Sequence, residues 1–78
     1  LRIVERLFRL ERGNPGDHRP VGEGVWELRL HFGPGYRVYY ADEGPRIVII
    51  LAGGTKKTQK ADIVQAKDSW KDYKERLR

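Results

Sequence analysis

Glu27, Arg29, His31, Arg37 and Tyr39 recur at alternate positions in two short apolar runs, and Lys56 and Lys57 follow a third. These residue types suit a phosphate. A guanidinium stays charged at any physiological pH and can grip two phosphate oxygens at once. Lysine adds a point charge, and tyrosine can stack on a base or bond to a phosphate. Imidazole is the side chain best suited to proton transfer near neutral pH, so His31 is the first candidate for a general acid or base. Glu27 is the alternative base. An ordinary solvated sheet face shows the same alternation, so the pattern by itself leaves both readings open.

The elements that must position these residues follow from hydrophobic periodicity. In "VWELRLHF" (25–32), Trp26, Leu28, Leu30 and Phe32 point one way, and Glu27, Arg29 and His31 point the other. "GPG" at 33–35 is a turn, and "YRVYYA" (36–41) alternates again. A three-residue loop would set Phe32 opposite Tyr36, His31 opposite Arg37 and Arg29 opposite Tyr39. The facing is better determined than the register, because a one-residue slip would put Trp26 and Leu28 in water. The polar series is therefore expected on the sheet face turned away from the helices.

"DEGP" (42–45) reads as a turn, and "RIVIILA" (46–52) as a third strand apolar on both faces. At the edge of a three-strand meander such a strand needs cover. Residues 46–52 are therefore expected to pair with a missing N-terminal strand, a partner chain or a second copy, or to lie under the last helix. Residues 1–12 read as a helix with Ile3, Leu7 and Leu10 on one stripe, and "GNPGDHRPVGEG" (13–24) as a long loop offering His18 and Arg19 to a ligand. Residues 58–78 read as a second helix, started by Thr55 or Thr58, with Ile63, Ala66, Trp70, Tyr73 and Leu77 on its apolar stripe. The expected class is α+β: one domain over residues 1–78, a small antiparallel three-strand sheet packed on one face by helices.

Composition narrows the function. The 78 residues carry a net charge of +5 and no cysteine, so disulfides and thiolate metal sites are excluded. A pI near 9.8 favours polyanionic partners. No apolar run is long enough to span a bilayer, and no signal peptide is visible. There is no GxGxxG and no P-loop, Ser69 is the single serine, and His18 and His31 sit in different settings. No metal or cofactor is expected. Any chemistry falls to Arg, Lys, His, Glu and Tyr.

Two segments, "RLFRLERGNPGDHRPVGEGVWELRLHFGPGYRVYY" and "GGTKKTQKADIVQA", stand in the order and spacing of a known family. The chain resembles the RelE/ParE toxin superfamily, in the HigB-like branch often labelled addiction module killer protein. The resemblance runs from residue 1 to about 67. It implies an antiparallel sheet against helices, a cytoplasmic toxin, and a cognate antitoxin, in this branch commonly a helix-turn-helix protein. RelE-like members cleave mRNA on the ribosome without a metal; ParE-like members poison DNA gyrase on the same fold. By position, Arg37 in "GYR" matches the strand arginine that contacts the scissile phosphate. Arg29 in "ELR" matches a basic residue on the preceding strand, and Lys56 one just after the last strand. Tyr39, Lys57, Arg19 and Lys60 are the further RNA contacts expected. Family members usually begin with another strand and helix, which are expected to be missing ahead of Leu1 here, and the C-terminal tyrosine of some RNA-cleaving members has no clear counterpart in "QKADIV".

Metal-free cleavage needs a base for the ribose 2′-hydroxyl, cations for the phosphorane and an acid for the leaving 5′-oxygen. Arg37 is assigned to the phosphorane, with Arg29 and Lys56 in support, and His31 or Glu27 to proton transfer. The competing readings are a gyrase-directed toxin and a non-catalytic RNA- or ribosome-binding protein.

Overall fold

The computed structural model of the chain describes residues 17–43 and 47–77. The alternation of residues 25–41 becomes the centre of an antiparallel sheet. Among the described residues its strands are β1 (His18–Gly22), β2 (Val25–Leu30), β3 (Tyr36–Glu43) and β4 (Ile47–Thr55), in the order β1-β2-β3-β4. A short 3-10 turn, Lys56–Thr58, leads into helix α1 (Gln59–Arg76). The expected helix over residues 1–12, the start of the 13–24 loop, and residues 44–46, which take in the end of the expected 42–45 turn and the start of the expected third strand, lie outside the described residues.

The class is α+β, with four strands among the described residues where three were expected. The extra strand, β1, falls inside the segment read as a loop. Its Pro20 pairs with Trp26 in an edge position, where a missing N–H is tolerated. The register shifts between Pro20 and Gly22, and the chain then turns back through Gly22, Glu23 and Gly24, all at positive φ. A loop-like composition therefore encodes a short, irregular edge strand.

The β2–β3 register also differs from expectation. Leu30 pairs with Tyr36, Arg29 with Arg37 and Glu27 with Tyr39. The hairpin loop is thus residues 31–35 rather than 33–35, and His31 belongs to the loop. Gly33 and Gly35 take φ of 57° and 79°, which side-chain-bearing residues rarely adopt. The shift is by an even number of residues, so the facing survives.

The covered face does not match expectation. The polar series does not look away from the helix: α1 packs on it. Val25, Tyr39 and Ala66 form one buried cluster, joined by Val21, Leu51, Ala52, Ile63 and Trp70. On the opposite face Leu28, Leu30 and Tyr40 form a second buried cluster with Trp26, Phe32, Tyr36 and Val38. Alternation sorts residues into two sides but does not say which side receives the helix. Here the small Ala52 and Gly54 of β4 lie beside Tyr39 and Arg37 and give α1 room on the polar side.

β4 is longer than the expected 46–52 and pairs with β3 along its length. It is not buried on both sides, since Ile50 is exposed. A bulge opposite Tyr39 and Tyr40 breaks its period, so that Leu51 and Ala52, consecutive in sequence, both join the α1 cluster. Helix α1 follows the expected stripe through Ile63, Ala66 and Trp70, and the Tyr73 hydroxyl donates to Glu43 at 2.6 Å. Leu77 lies past the helix end and is exposed.

Entry into α1 depends on Gly54. Thr58 Oγ1 accepts from the Thr55 backbone N–H at 3.2 Å and donates to Asp62 at 2.5 Å. A Cβ at Gly54 would collide with the Asp62 carboxylate and the Thr58 hydroxyl. Gly54→Ala is therefore expected to destabilise the domain by about 1–3 kcal/mol, read as a lowered urea midpoint with unchanged slope. A midpoint equal to wild type would show that the α1 start repacks freely.

Candidate anion-binding site

The site is organised around a buried carboxylate. Glu27, in the middle of β2, has 0% exposure. Its Oε1 accepts from Arg19 Nε at 2.9 Å, with Arg29 Nε at 3.5 Å and Arg37 Nε at 4.0 Å. Its Oε2 accepts from Gln59 Nε2 at 2.7 Å and from the Tyr39 hydroxyl at 3.0 Å. One carboxylate is thus set among three guanidinium groups drawn from three strands. Burial pushes its pKa up, but the hydrogen bonds from Arg19, Gln59 and Tyr39 and the charge of Arg19 outweigh burial and hold it below the ordinary value. The same contacts act in reverse on the donors. The hydrogen bond to Glu27 raises the Arg19 pKa, and burial, then the Glu27 contact, raises that of Tyr39.

Arg29 and Arg37 are direct cross-strand neighbours, an arrangement that like charges disfavour. Glu27 offsets this by its proximity to both. The Nε groups of Arg29 and Arg37 are buried and make no hydrogen bond. Arg37 Nη1 donates to the Gly35 and Tyr36 carbonyls at 3.3 and 3.2 Å, which fixes the guanidinium against the hairpin loop. With only 5% of its surface exposed, Arg37 is a fixed cation rather than a mobile surface charge.

A shallow pocket of about 430 Å3 opens over this cation. It is lined by the whole hairpin loop, His31 to Gly35, together with Arg37 and Lys56. Lys56 is brought there by its backbone N–H, which donates to the Gly35 carbonyl at 2.9 Å. His31 stands at the rim with Nε2 paired to the Asp17 carboxylate. The Arg29 backbone N–H donates to the Asp17 carbonyl at 2.9 Å and anchors that residue in turn.

The structure thus gathers His31, Arg37 and Lys56 in one concavity, with Arg29 behind them. It separates the others. Glu27 and Tyr39 lie in the interior, so Tyr39 offers no face for a base to stack on and Glu27 no carboxylate to solvent. Arg19 holds Glu27 from the edge strand, half exposed. Lys57 and Lys60 are exposed in the 3-10 turn and the first turn of α1. Tyr73 bonds Glu43, at the end of β3 away from the pocket, roughly 20 Å from Arg37 by strand rise. Two contributors were missed in the sequence. Asp17 sits in the glycine- and proline-rich segment with no periodicity to mark it. Gln59 reads only as the first residue of a helix.

A fixed arginine, a flanking lysine and an imidazole thus line an open pocket at the end of the antiparallel sheet of a small α+β protein, a set of groups suited to an anion. Residues 2–71 match the family model described as phage derived protein Gp49-like (DUF891). The chain belongs to that Gp49-like family, a family of toxin–antitoxin-associated, HigB-like/RelE-like toxins. It is also 48% identical over 66 residues to an uncharacterized protein of Haemophilus influenzae, an alignment covering 85% of this chain and 67% of that protein. No solved structure matches the chain significantly. Among the described residues no helix is long and apolar enough to cross a membrane.

Proposed function

We propose that the protein is the toxin of a type II toxin–antitoxin system and acts as a metal-independent, ribosome-dependent mRNA endonuclease in the cytoplasm. In this reading residues 1–78 are one RelE/ParE-like domain neutralised by a cognate antitoxin of helix-turn-helix type. The observation that carries it is Arg37: buried, fixed by two backbone carbonyls, and lining a pocket shared with His31 and Lys56. A cation held in place before substrate arrives needs no reorganisation as charge develops on phosphorus.

The ribose 2′-oxygen attacks the adjacent phosphorus and the bond to the 5′-oxygen breaks, leaving a 2′,3′-cyclic phosphate and a 5′-hydroxyl. His31 takes the 2′-hydroxyl proton, and a solvent water protonates the leaving 5′-oxygen. Arg37 and Lys56 hold the phosphorane oxygens, and Arg29 adds positive potential from behind. Glu27 serves as the counter-charge that lets the arginines share one site, not as the base. Lys57, Lys60 and Arg19 extend the cationic surface along the RNA.

Primer extension on a reporter mRNA in a purified translation system tests this. Cuts within translated codons, appearing only when ribosomes and protein are both present, are the expected result. An intact message with folded protein would overturn the endonuclease reading and direct attention to gyrase.

A further inference from the structure

A second concavity, of about 550 Å3, lies where the C-terminal half of α1 crosses the β1–β2 turn. It is lined by Glu23, Gly24, Lys67, Trp70, Lys71 and Lys74. The turn precedes β2 and the first pocket follows it, so the two openings stand at opposite ends of the strand, roughly 20 Å apart. The proposed cleavage chemistry uses none of these residues.

We infer that this concavity binds an acidic peptide segment of a protein partner. Three ammonium groups face one carboxylate across an indole, an excess of positive charge over an apolar wall. The pocket already accepts a carboxylate of the chain itself: Glu23 Oε2 lies 3.6 Å from Lys67 Nζ, on a residue at φ 56° whose side chain is largely exposed. An incoming acidic side chain can take that position among the ammonium groups of Lys67, Lys71 and Lys74. Gly24 is the other half of the fit, because a Cβ there would meet Trp70 Nε1 at 3.0 Å. RNA fits less well. The indole is already stacked by Tyr73, 13° from parallel, and has Lys74 Nζ 5.3 Å from its centroid. A base would have to displace one of these to stack, whereas a carboxylate needs only the ammonium groups at the rim.

The test uses the whole chain and a short fluorescein-labelled peptide rich in Glu and Leu, with an equally labelled oligouridylate as the competing ligand. Lys71 and Lys74 are exposed on α1, so Lys71→Glu with Lys74→Glu leaves the fold in place, checked by far-UV circular dichroism. Peptide affinity is expected to fall about tenfold or more in the double variant and to stay at the wild-type level in Arg37→Ala. Because Arg37→Ala disables the proposed RNase centre and not this pocket, the two readings fail separately. Equal peptide binding by the double variant and wild type would overturn the inference. So would a selective loss of oligouridylate binding with peptide binding retained.

Discussion

Arg37→Ala is expected to lower the proposed mRNA cleavage about 100- to 1,000-fold, the usual cost of removing one preorganised charge-stabilising donor. The size of the effect follows from the geometry. Arg37 is held by the Gly35 and Tyr36 carbonyls and is almost wholly buried, so no neighbouring side chain can swing into its place. Lys56 is exposed on the other wall of the pocket and supplies charge without the planar fork. Arg37→Lys should therefore recover only part of the loss. Folding should survive, because the substitution removes a like-charge neighbour of Arg29 and leaves Glu27 bonded to Arg19, Gln59 and Tyr39. The measurement is primer extension on wild type, Arg37→Ala and Arg37→Lys at matched folded concentration. A folded Arg37→Ala that cuts at close to the wild-type rate would remove Arg37 from the phosphorane.

The largest effect on stability is expected at Glu27. Glu27→Gln keeps the shape but leaves Arg19, Arg29 and Arg37 without their common counter-charge. Removing one partner from a buried ionic group costs about 3–5 kcal/mol. That is most of the stability of a domain this small, so the variant should be largely unfolded at neutral pH and 37 °C, or bind its antitoxin to fold at all. The pH dependence has a definite sign. The folded-state pKa of Glu27 lies below its ordinary value of 4.5, so its contribution is complete above about that pH. It fades as the pH falls through the depressed folded value. Wild-type and variant stabilities should converge in acid and diverge towards neutrality. Urea midpoints across pH 3–7 provide the check, and a constant gap between the two proteins over that range would refute the ionised hub.

These two predictions exchange the roles first expected for the polar series. Arg37, buried and lining the open pocket, remains the proposed contact to the phosphorane. Glu27 changes from alternative base to structural counter-charge, and Tyr39 from base-stacking surface to buried donor. The reason is the packing of α1. Its Ile63, Ala66 and Trp70 settle over Tyr39 and Val25, and its first residue, Gln59, reaches Glu27. The polar face thereby becomes an interior among the described residues, and it opens over Arg37 at the hairpin end, where α1 begins.

Much was legible beforehand because its causes are local. Alternation in "VWELRL" and "YRVYYA" made β2 and β3 and set Glu27, Arg29, Arg37 and Tyr39 on one side. The three- and four-residue steps from Ile63 to Trp70 made α1, and glycines at positive φ closed the hairpin. The ordered motifs resembled RelE/ParE toxins of the HigB-like branch, and the chain belongs to the Gp49-like family of toxin–antitoxin-associated toxins. Other features depend on contacts between segments distant in sequence, and no local period encodes them. β1 is a strand because β2 offers it an edge, despite its own glycine and proline. The two-residue change in register came from the hairpin loop, and the covered face from the room that Ala52 and Gly54 leave above Tyr39 and Arg37. The pairing of Asp17 with His31, and of Gln59 with Glu27, joins residues 14 and 32 positions apart. By itself the sequence determined which residues carry charge and on which side of a strand each lies. Only the tertiary structure decided which charges are buried together and which face the solvent, because burial is a property of the packed chain and not of any segment of it.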